Sequence, residues 1–154
     1  MAQQNSLERA LQVLNTPLNR DIHGGETVLF EWNHVQVGAG AGPGDLIILP
    51  ALPANARIHI PFCDITFPTL TSATADLGWL AYTGSDGVLV AADPNGLVEN
   101  LSVAAAGNAR WMAGTVIVRS KLFTGTGVTL TVQINDATIA DAAVYSGSML
   151  CVIG

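Results

Sequence analysis

Short apolar runs separated by turn residues dominate the chain from about residue 26 onwards. The runs are rich in Val, Ile, Leu and Thr, and Gly, Pro, Asn and Asp stand between them. Because successive side chains of a strand point to opposite faces, alternating runs of this kind are typical of half-buried β-strands. The predicted strands are 26–37, 45–50, 56–67, 77–83, 87–92, 110–122, 127–135 and 144–153.

This spacing predicts an all-β domain over residues 26–154, an antiparallel eight-stranded sandwich. A jelly roll is the favoured form, because it arranges eight antiparallel strands in two sheets with short edges. An immunoglobulin-like sandwich is the main alternative, but its order of Cys, Trp and Cys is missing. Asp86 and Gly87 predict a tight hairpin, and the Asp-Pro-Asn-Gly sequence at 93–96 predicts a second turn. Residues 97–106 fit either a short helix or extended chain.

The first 25 residues follow a different pattern, which predicts an N-terminal arm. Leu7, Leu11 and Leu14 recur at helical spacing, and the Asn-Ser-Leu-Glu sequence at 5–8 can form a capping box. One short helix is predicted, shorter than the about 12–15 residues that an isolated helix needs in water. Its leucine face must therefore pack on the sandwich or on a neighbouring subunit. Residues 19–25 are predicted to be a polar hinge.

Charged residues are scarce in this chain. Of 154 residues, 49% are hydrophobic and only 12% are charged, with a net charge of −6. So few charges predict an obligate assembly in which other subunits cover part of the surface. The six Lys and Arg residues are too few for a stripe that binds nucleic acid or an anionic membrane surface. Every apolar run is shorter than the about 18 residues needed to span a bilayer.

No arrangement typical of a catalytic or metal site stands out in the sequence. His23, His34 and His59 are far apart, without a second ligand at metal-binding spacing. The glycine-rich stretch 38–44 lacks the glycine spacing and the Gly-Lys-Ser/Thr sequence of phosphate-binding loops. We therefore expect a protein that is not an enzyme and has no metal or cofactor. Turn positions account for most of the acidic residues, among them Asp45, Asp76, Asp86, Asp93, Asp136 and Asp141.

Cysteine and tryptophan positions leave more than one interpretation open. Cys63 and Cys151 lie in apolar runs, which predicts buried, reduced thiols. The N-terminal sequence lacks the features of a secretory signal, so synthesis in a cytoplasm is expected. Whether the two cysteines are neighbours is left open. Trp32, Trp79 and Trp111 can be core or interface anchors, or a platform on which a carbohydrate stacks.

The order of motifs resembles that of tailed-bacteriophage capsid decoration or cement proteins. Residues 44–58 resemble a block that opens a β-sandwich in phage structural proteins, with Gly-Asp, an apolar run, Leu-Pro and Ala-Arg-Ile. The sequence Leu-Gly-Trp at 77–79, the stretch 93–107 and the strand sequence at 128–132 follow in the same order. The resemblance covers about residues 44–154 and leaves out the N-terminal arm.

This resemblance implies a jelly-roll-like structural protein on the capsid surface of a virion, made in the host cytoplasm. The implied partners are the major capsid protein and other copies of this chain, with a trimer as the first expectation. A phage neck, tail or fibre component, or a carbohydrate-binding jelly-roll module, is the alternative. The candidate subunit or capsid interface residues are Leu7, Leu11, Leu14, Arg20 and Trp111.

Overall fold

A computed structural model describes residues 26–37, 46–70, 73–137 and 140–154. Within these ranges the chain is all-β, with thirteen strands and two short 3-10 helices. No helix in this part of the chain has the length and apolar character needed to cross a bilayer. The predicted arm of residues 1–25, with its helix, lies outside the described residues.

The strands are short except for β1, β8 and β13, which have ten residues each. The 3-10 helices are η1 (Ile60–Phe62) and η2 (Trp111–Ala113). In chain order the strands are β1 (Glu26–Val35), β2 (Leu46–Leu52), β3 (Ala56–His59), β4 (Asp64–Phe67), β5 (Thr74–Trp79), β6 (Tyr82–Thr83), β7 (Leu89–Val90), β8 (Asp93–Ser102), β9 (Gly107–Arg110), β10 (Thr115–Val116), β11 (Ser120–Phe123), β12 (Val128–Asn135) and β13 (Val144–Ile153).

Two antiparallel sheets make up the fold. The first sheet has the order β11-β3-β13-β4-β9, with β1 paired to β13 as well, and the second has the order β10-β8-β5-β12-β2. Strands β6 and β7 form a separate hairpin. Buried side chains of both sheets belong to one hydrophobic cluster, for example Ile58 and Ile65 from the first sheet and Leu77 and Leu130 from the second. The two sheets therefore pack as a sandwich, as expected.

Side chains alternate along the strands as the sequence predicts. In β2, Ile47 and Leu49 are buried while Leu46 and Ile48 are exposed. The register with β12 shifts between Thr129 and Thr131, so β2 carries an extra residue near Pro50 before Leu52 turns inward. A proline fits there because β2 is an edge strand, and because the residue at the irregularity does not need a backbone N–H to pair with β12. The irregularity thus keeps both halves of β2 facing the core.

The described residues form thirteen strands, whereas the sequence predicts eight. The predicted strand 56–67 is divided into β3 and β4 by η1, where Pro61 occupies the first turn and the Cys63 N–H donates to the Ile60 carbonyl at 3.0 Å. The predicted strand 110–122 leaves the first sheet at η2, pairs with β8 as β10, and returns as β11. Local turns therefore break segments whose apolar pattern is continuous.

Residues 93–96, where the sequence predicts a turn, belong to β8 (Asp93–Ser102), and residues 97–102 of the ambiguous stretch are also strand. Asp93 is opposite Trp79 and Val98 is opposite Leu77, so β8 carries three extra residues here and bulges away from the ladder with β5. A Cβ atom on Gly78 would lie 2.0 Å from the Asp93 carbonyl oxygen, so the bulged chain can approach only because Gly78 has no side chain. The Pro-Asn-Gly sequence therefore forms a wide bulge within β8 and does not form a turn between two separate strands.

The hairpin predicted at Asp86 and Gly87 is confirmed. It joins β6 and β7, and the Gly87 N–H donates to the Gly84 carbonyl at 3.0 Å. Gly87 has a φ of 77°, which a glycine adopts without strain. The Asp86 side chain accepts a hydrogen bond from the Val88 N–H at 3.0 Å and so fixes the turn.

Candidate interaction surface

The expected interface residues fall into two groups in the structure. Leu7, Leu11, Leu14 and Arg20 lie outside the described residues. Trp111 begins η2, is only 1% exposed, and donates its backbone N–H to the Cys63 carbonyl at 3.1 Å. The Trp111 indole is therefore part of the core of the chain and offers no ring face at the surface.

The other two tryptophans are also buried. Trp32 is 6% exposed, and its ring crosses Gly147, where a Cβ atom would lie 2.8 Å from Trp32 Cζ2. Trp79 is 7% exposed and donates its Nε1–H to the Ala91 carbonyl at 3.1 Å. A stacking platform for a sugar needs an exposed ring face, and none of the three tryptophans supplies one in the chain alone.

Histidine side chains are dispersed in the described part of the chain. His34 Nε2 lies 3.2 Å from Gln36 Oε1, and its ring centroid lies 6.5 Å from that of Tyr145. Partial burial and the nearby Arg57 guanidinium lower the pKa of His59. No group of three or more His, Cys, Asp or Glu side chains among the described residues could hold a metal ion. His23 lies outside those residues.

Both cysteines are buried free thiols. Burial raises the pKa of Cys63 and of Cys151 to about 12, and the neighbouring Cys63 thiol contributes to the rise at Cys151. The two thiols are therefore close enough to interact. The Cys63 thiol donates to the His59 carbonyl at 3.2 Å. Thiols that stay protonated at neutral pH are poor nucleophiles, so these two serve as core residues.

Asp76 lies in β5 and not in a turn, which corrects the sequence prediction. It is 8% exposed. Its Oδ1 accepts the Asn100 N–H of β8 and its Oδ2 accepts the Asn135 amide of β12, each at 2.8 Å. The β5–β8 register shifts between Ala75 and Leu77, and Asn100 has a φ of 57°. The carboxylate therefore satisfies an N–H at an irregularity of the ladder, which is a structural role.

An aromatic cluster closes the sandwich near β11. The Phe123 ring makes edge-to-face contacts with Trp79 and Tyr82, with centroids 5.7 Å and 5.6 Å away. Lys121 Nζ lies 4.5 Å from the centroid of Trp79 and 5.6 Å from that of Phe123. The cation–π contact stabilises an ammonium group that lies against the core at a sheet edge. Natural proteins use inward charges of this kind to discourage random pairing of edge strands.

The outer face of the first sheet carries a polar depression. It is lined by seven residues of β1, β4 and β13: Glu31, Trp32, Asn33, Asp64, Ser146, Gly147 and Ser148. Asp64 Oδ1 accepts a hydrogen bond from the Ser148 N–H at 2.9 Å, on the side away from β9. This face is therefore hydrophilic and slightly acidic between its two edges.

Charges are distributed unevenly across the first sheet. All four basic side chains in the described ranges, Arg57, Arg110, Arg119 and Lys121, lie on or beside β3, β9 and β11. We call these four residues the basic edge. The opposite edge of the sheet is β1, where Glu31 is exposed and residues 26–37 contain no Lys or Arg. This arrangement is not predictable from the sequence, because it depends on the order of strands in the sheet.

Exposed apolar side chains accompany both edges. Val35, on β1, is 50% exposed, and Val144, its partner on β13, is 49% exposed. Near the basic edge, Leu122 is 40% and Phe62 is 62% exposed. Exposed apolar side chains with polar groups around them are typical of protein interaction surfaces.

Two solved structures share this fold over most of the chain. A chain in the capsid of Ralstonia phage GP4 matches with a TM-score of 0.62 and 18% identity, covering 84% of this chain and 85% of that one. A chain in the cyanophage Pam1 capsid asymmetric unit matches with a TM-score of 0.54 and 9% identity, covering 84% and 86%. At such low identity the likeness shows the fold alone.

Comparison at the level of sequence gives no further assignment. No protein-family profile matches the chain. No curated protein matches it either. The shared β-sandwich, together with the surface described above, is therefore the basis for a functional proposal.

Proposed function

We propose that this protein is a structural component of a tailed-phage virion, a decoration or cement protein that binds the outside of the capsid. The observation that carries this proposal is the fold shared with chains of two phage capsids over 84% of this chain. Each of those two phage chains is covered to 85% or more, so the similarity extends over most of their length. The low charge content, 12%, suits a protein whose surface is partly covered by neighbours.

The connectivity of the sandwich supports a jelly roll. Taking β3 with β4, and β9 to β11, as single segments gives eight segments along the chain: β1, β2, β3–β4, β5, β8, β9–β11, β12 and β13. Segment one pairs with eight, two with seven, three with six, and four with five. This is the pairing of one long hairpin rolled over itself, which is the path of a jelly roll. The sequence resembles phage decoration proteins, and that resemblance implies the same jelly-roll form.

A passive clamp also agrees with the chemistry of the described residues. The buried thiols and Asp76 hold the core together, and the histidines are dispersed. The role in this proposal is structural and not enzymatic. The partners are the major capsid protein and other copies of this chain, which meet on the capsid surface, with a trimer as the first expectation. The sequence-predicted arm of residues 1–25 supplies a contact to a neighbouring subunit.

Binding to capsids that lack this protein tests the proposal. Purified protein should bind such capsids at a saturating copy number and raise the temperature at which they release DNA. Replacing Leu7, Leu11 and Leu14 together by Ser should weaken retention on heated capsids, because the leucine face of the arm is lost. The matched control, Gln4→Ser with Gln12→Ser, should be retained like the native protein. Absence of binding to capsids, with binding to isolated tails, would contradict the proposal.

A further inference from the structure

The strands at the two edges of the first sheet run in opposite chain directions. Strand β1 is antiparallel to β13, which is antiparallel to β3 and β4, and these are antiparallel to β11 and β9. Strand β1 therefore runs opposite to β9 and β11. If β1 of one copy lies beside β9 of another, the combined sheet continues in the same antiparallel order.

Both edges are available for pairing in the described part of the chain. There, β13 is the only strand that pairs with β1, and β4 is the only strand that pairs with β9. Ten residues is long for an edge strand, and proteins usually shorten, charge or cover such an edge because it can pair with another chain. The part of β1 that can face the four residues of β9 is residues 31–34, which we call the β1 edge.

One row of residues crosses the whole sheet and ends in opposite charges. Glu31 is opposite Ser148, Ser148 is opposite Asp64, and Asp64 is opposite Arg110. Directly opposed residues of antiparallel strands point to the same face. The neighbouring row, through Trp32, Gly147 and Ile65, points to the core, so Glu31 and Arg110 lie on the outer face. Both side chains are exposed.

A second row repeats the arrangement with amide side chains. Asn33 is opposite Ser146, Ser146 is opposite Thr66, and Thr66 is opposite Asn108. Asn33 and Asn108 are exposed, at the two ends of the row. In a sheet continued in register, the two rows place Glu31 beside Arg110 and Asn33 beside Asn108 of the next copy.

We infer that copies of this chain associate edge to edge, with the β1 edge of one copy paired in antiparallel register with β9 at the basic edge of the next. Main-chain hydrogen bonds hold the strands together, and the pair of Glu31 with Arg110 sets the register and the choice of partner. Because the two surfaces differ, the contact is head-to-tail and generates a ring if its rotation closes. The inference deepens the proposed function, on which it rests for its setting, by naming the surface that joins the copies.

Charge exchange in the purified full-length protein tests the pairing. Glu31→Arg and Arg110→Glu should each weaken self-association about three- to tenfold in sedimentation velocity, because each places like charges together. The double variant should recover native association. Asp86→Arg is the matched control, since this exposed acid lies on the β6–β7 hairpin, and it should associate like the native protein. Single variants that associate normally, or a double variant that stays weak, would overturn the inference.

Cross-linking gives a second readout that does not depend on charge. With a mild oxidant, Asn33→Cys/Asn108→Cys should form covalent oligomers through disulfides between copies, while each single variant should stay monomeric on a denaturing gel. The native Cys63 and Cys151 are buried and serve as an internal control. Cross-linking of Asn33→Cys alone would indicate a symmetric β1–β1 contact and would overturn the head-to-tail pairing.

Neither experiment uses capsids, so edge pairing and capsid binding are tested independently. If the native protein remains monomeric at all concentrations, edge pairing is wrong, and the capsid-binding assay still decides the proposed function. Self-association that responds to the charge variants, without capsid binding, supports edge pairing and contradicts the cement role.

Discussion

Asp76 provides the sharpest test of how the sandwich is held together. Its carboxylate joins three strands, since it belongs to β5 and accepts hydrogen bonds at 2.8 Å from Asn100 on β8 and from Asn135 on β12. Replacing Asp76 by Ala removes both acceptors at a site that is 8% exposed. The Asn100 N–H cannot return to the regular ladder, because the β5–β8 register is shifted at this point.

The expected loss follows from the two hydrogen bonds that the carboxylate accepts. A hydrogen bond to a charged group contributes about 1.5–3 kcal/mol, and the Asn100 and Asn135 donors are only partly buried, so the lower figure applies to each bond and Asp76→Ala should lower the free energy of unfolding by about 3 kcal/mol. With a urea slope of about 2 kcal/mol/M, the midpoint should fall by about 1.5 M. Asp76→Asn should lose about 1 kcal/mol, because its amide oxygen still accepts one bond and Asn135 can reverse its amide.

Urea unfolding followed by circular dichroism, at one fixed protein concentration, measures both changes. The matched control is Asp86→Ala, which removes an acceptor for the Val88 N–H in an exposed turn. Because water can replace that acceptor, we expect a change within about 0.5 kcal/mol. If Asp76→Ala is no more destabilising than this control, the carboxylate does not hold the three strands together.

Two further predictions concern the core. Gly147→Ala should lower the melting temperature by more than about 4 °C, because its Cβ would lie 2.3 Å from the Asp64 carbonyl oxygen and 2.8 Å from Trp32 Cζ2; an unchanged melting temperature would contradict this packing. Burial raises the pKa of Cys63 and Cys151 from 9.0 to about 12. The thiols therefore make their full contribution to stability below pH 9, and this contribution is lost as the pH rises toward about 12. Over that range each thiol makes the free energy of unfolding fall by up to about 1.4 kcal/mol per pH unit. Urea unfolding of the Cys63→Ala/Cys151→Ala variant should therefore show a shallower pH dependence above pH 9 than the native protein, and equal slopes would be evidence against two buried thiols.

Alternation of apolar and polar residues was sufficient to predict several strands from the sequence. The predicted strands 127–135 and 144–153 correspond to β12 (Val128–Asn135) and β13 (Val144–Ile153). The period of two is a local property, since each inward side chain belongs to one shared core. Strand order and pairing depend on contacts far apart in the chain, so the sequence pattern left them open between a jelly roll and an immunoglobulin-like sandwich.

Errors in the sequence predictions arose where packing overrides local preference. Residues 93–96 have strong turn chemistry, yet they form a bulge within β8 that fits against Gly78. Asp76 was placed in a turn because it is acidic, although its partners on β8 and β12 make a buried strand position favourable. The surroundings of Trp111 are equally compatible with core and surface, and only the fold shows that η2 directs it inward.

The candidate interaction surface was not predictable for a related reason. Arg57 and Arg110 are more than fifty residues apart in sequence, and β9 and β3 lie on the same side of the first sheet only because both β3 and β4 pair with β13. The same topology places Glu31 at the far end of the row that begins at Arg110. Sequence alone shows the scarcity of charge but not its separation between two edges.

Cryo-electron microscopy of virions that contain this protein is the most direct test of the proposed cement role. We expect density for the β-sandwich on the outer surface of the capsid, in contact with more than one major-capsid subunit. Density for the sandwich only at the neck, tail or fibres would contradict the cement role.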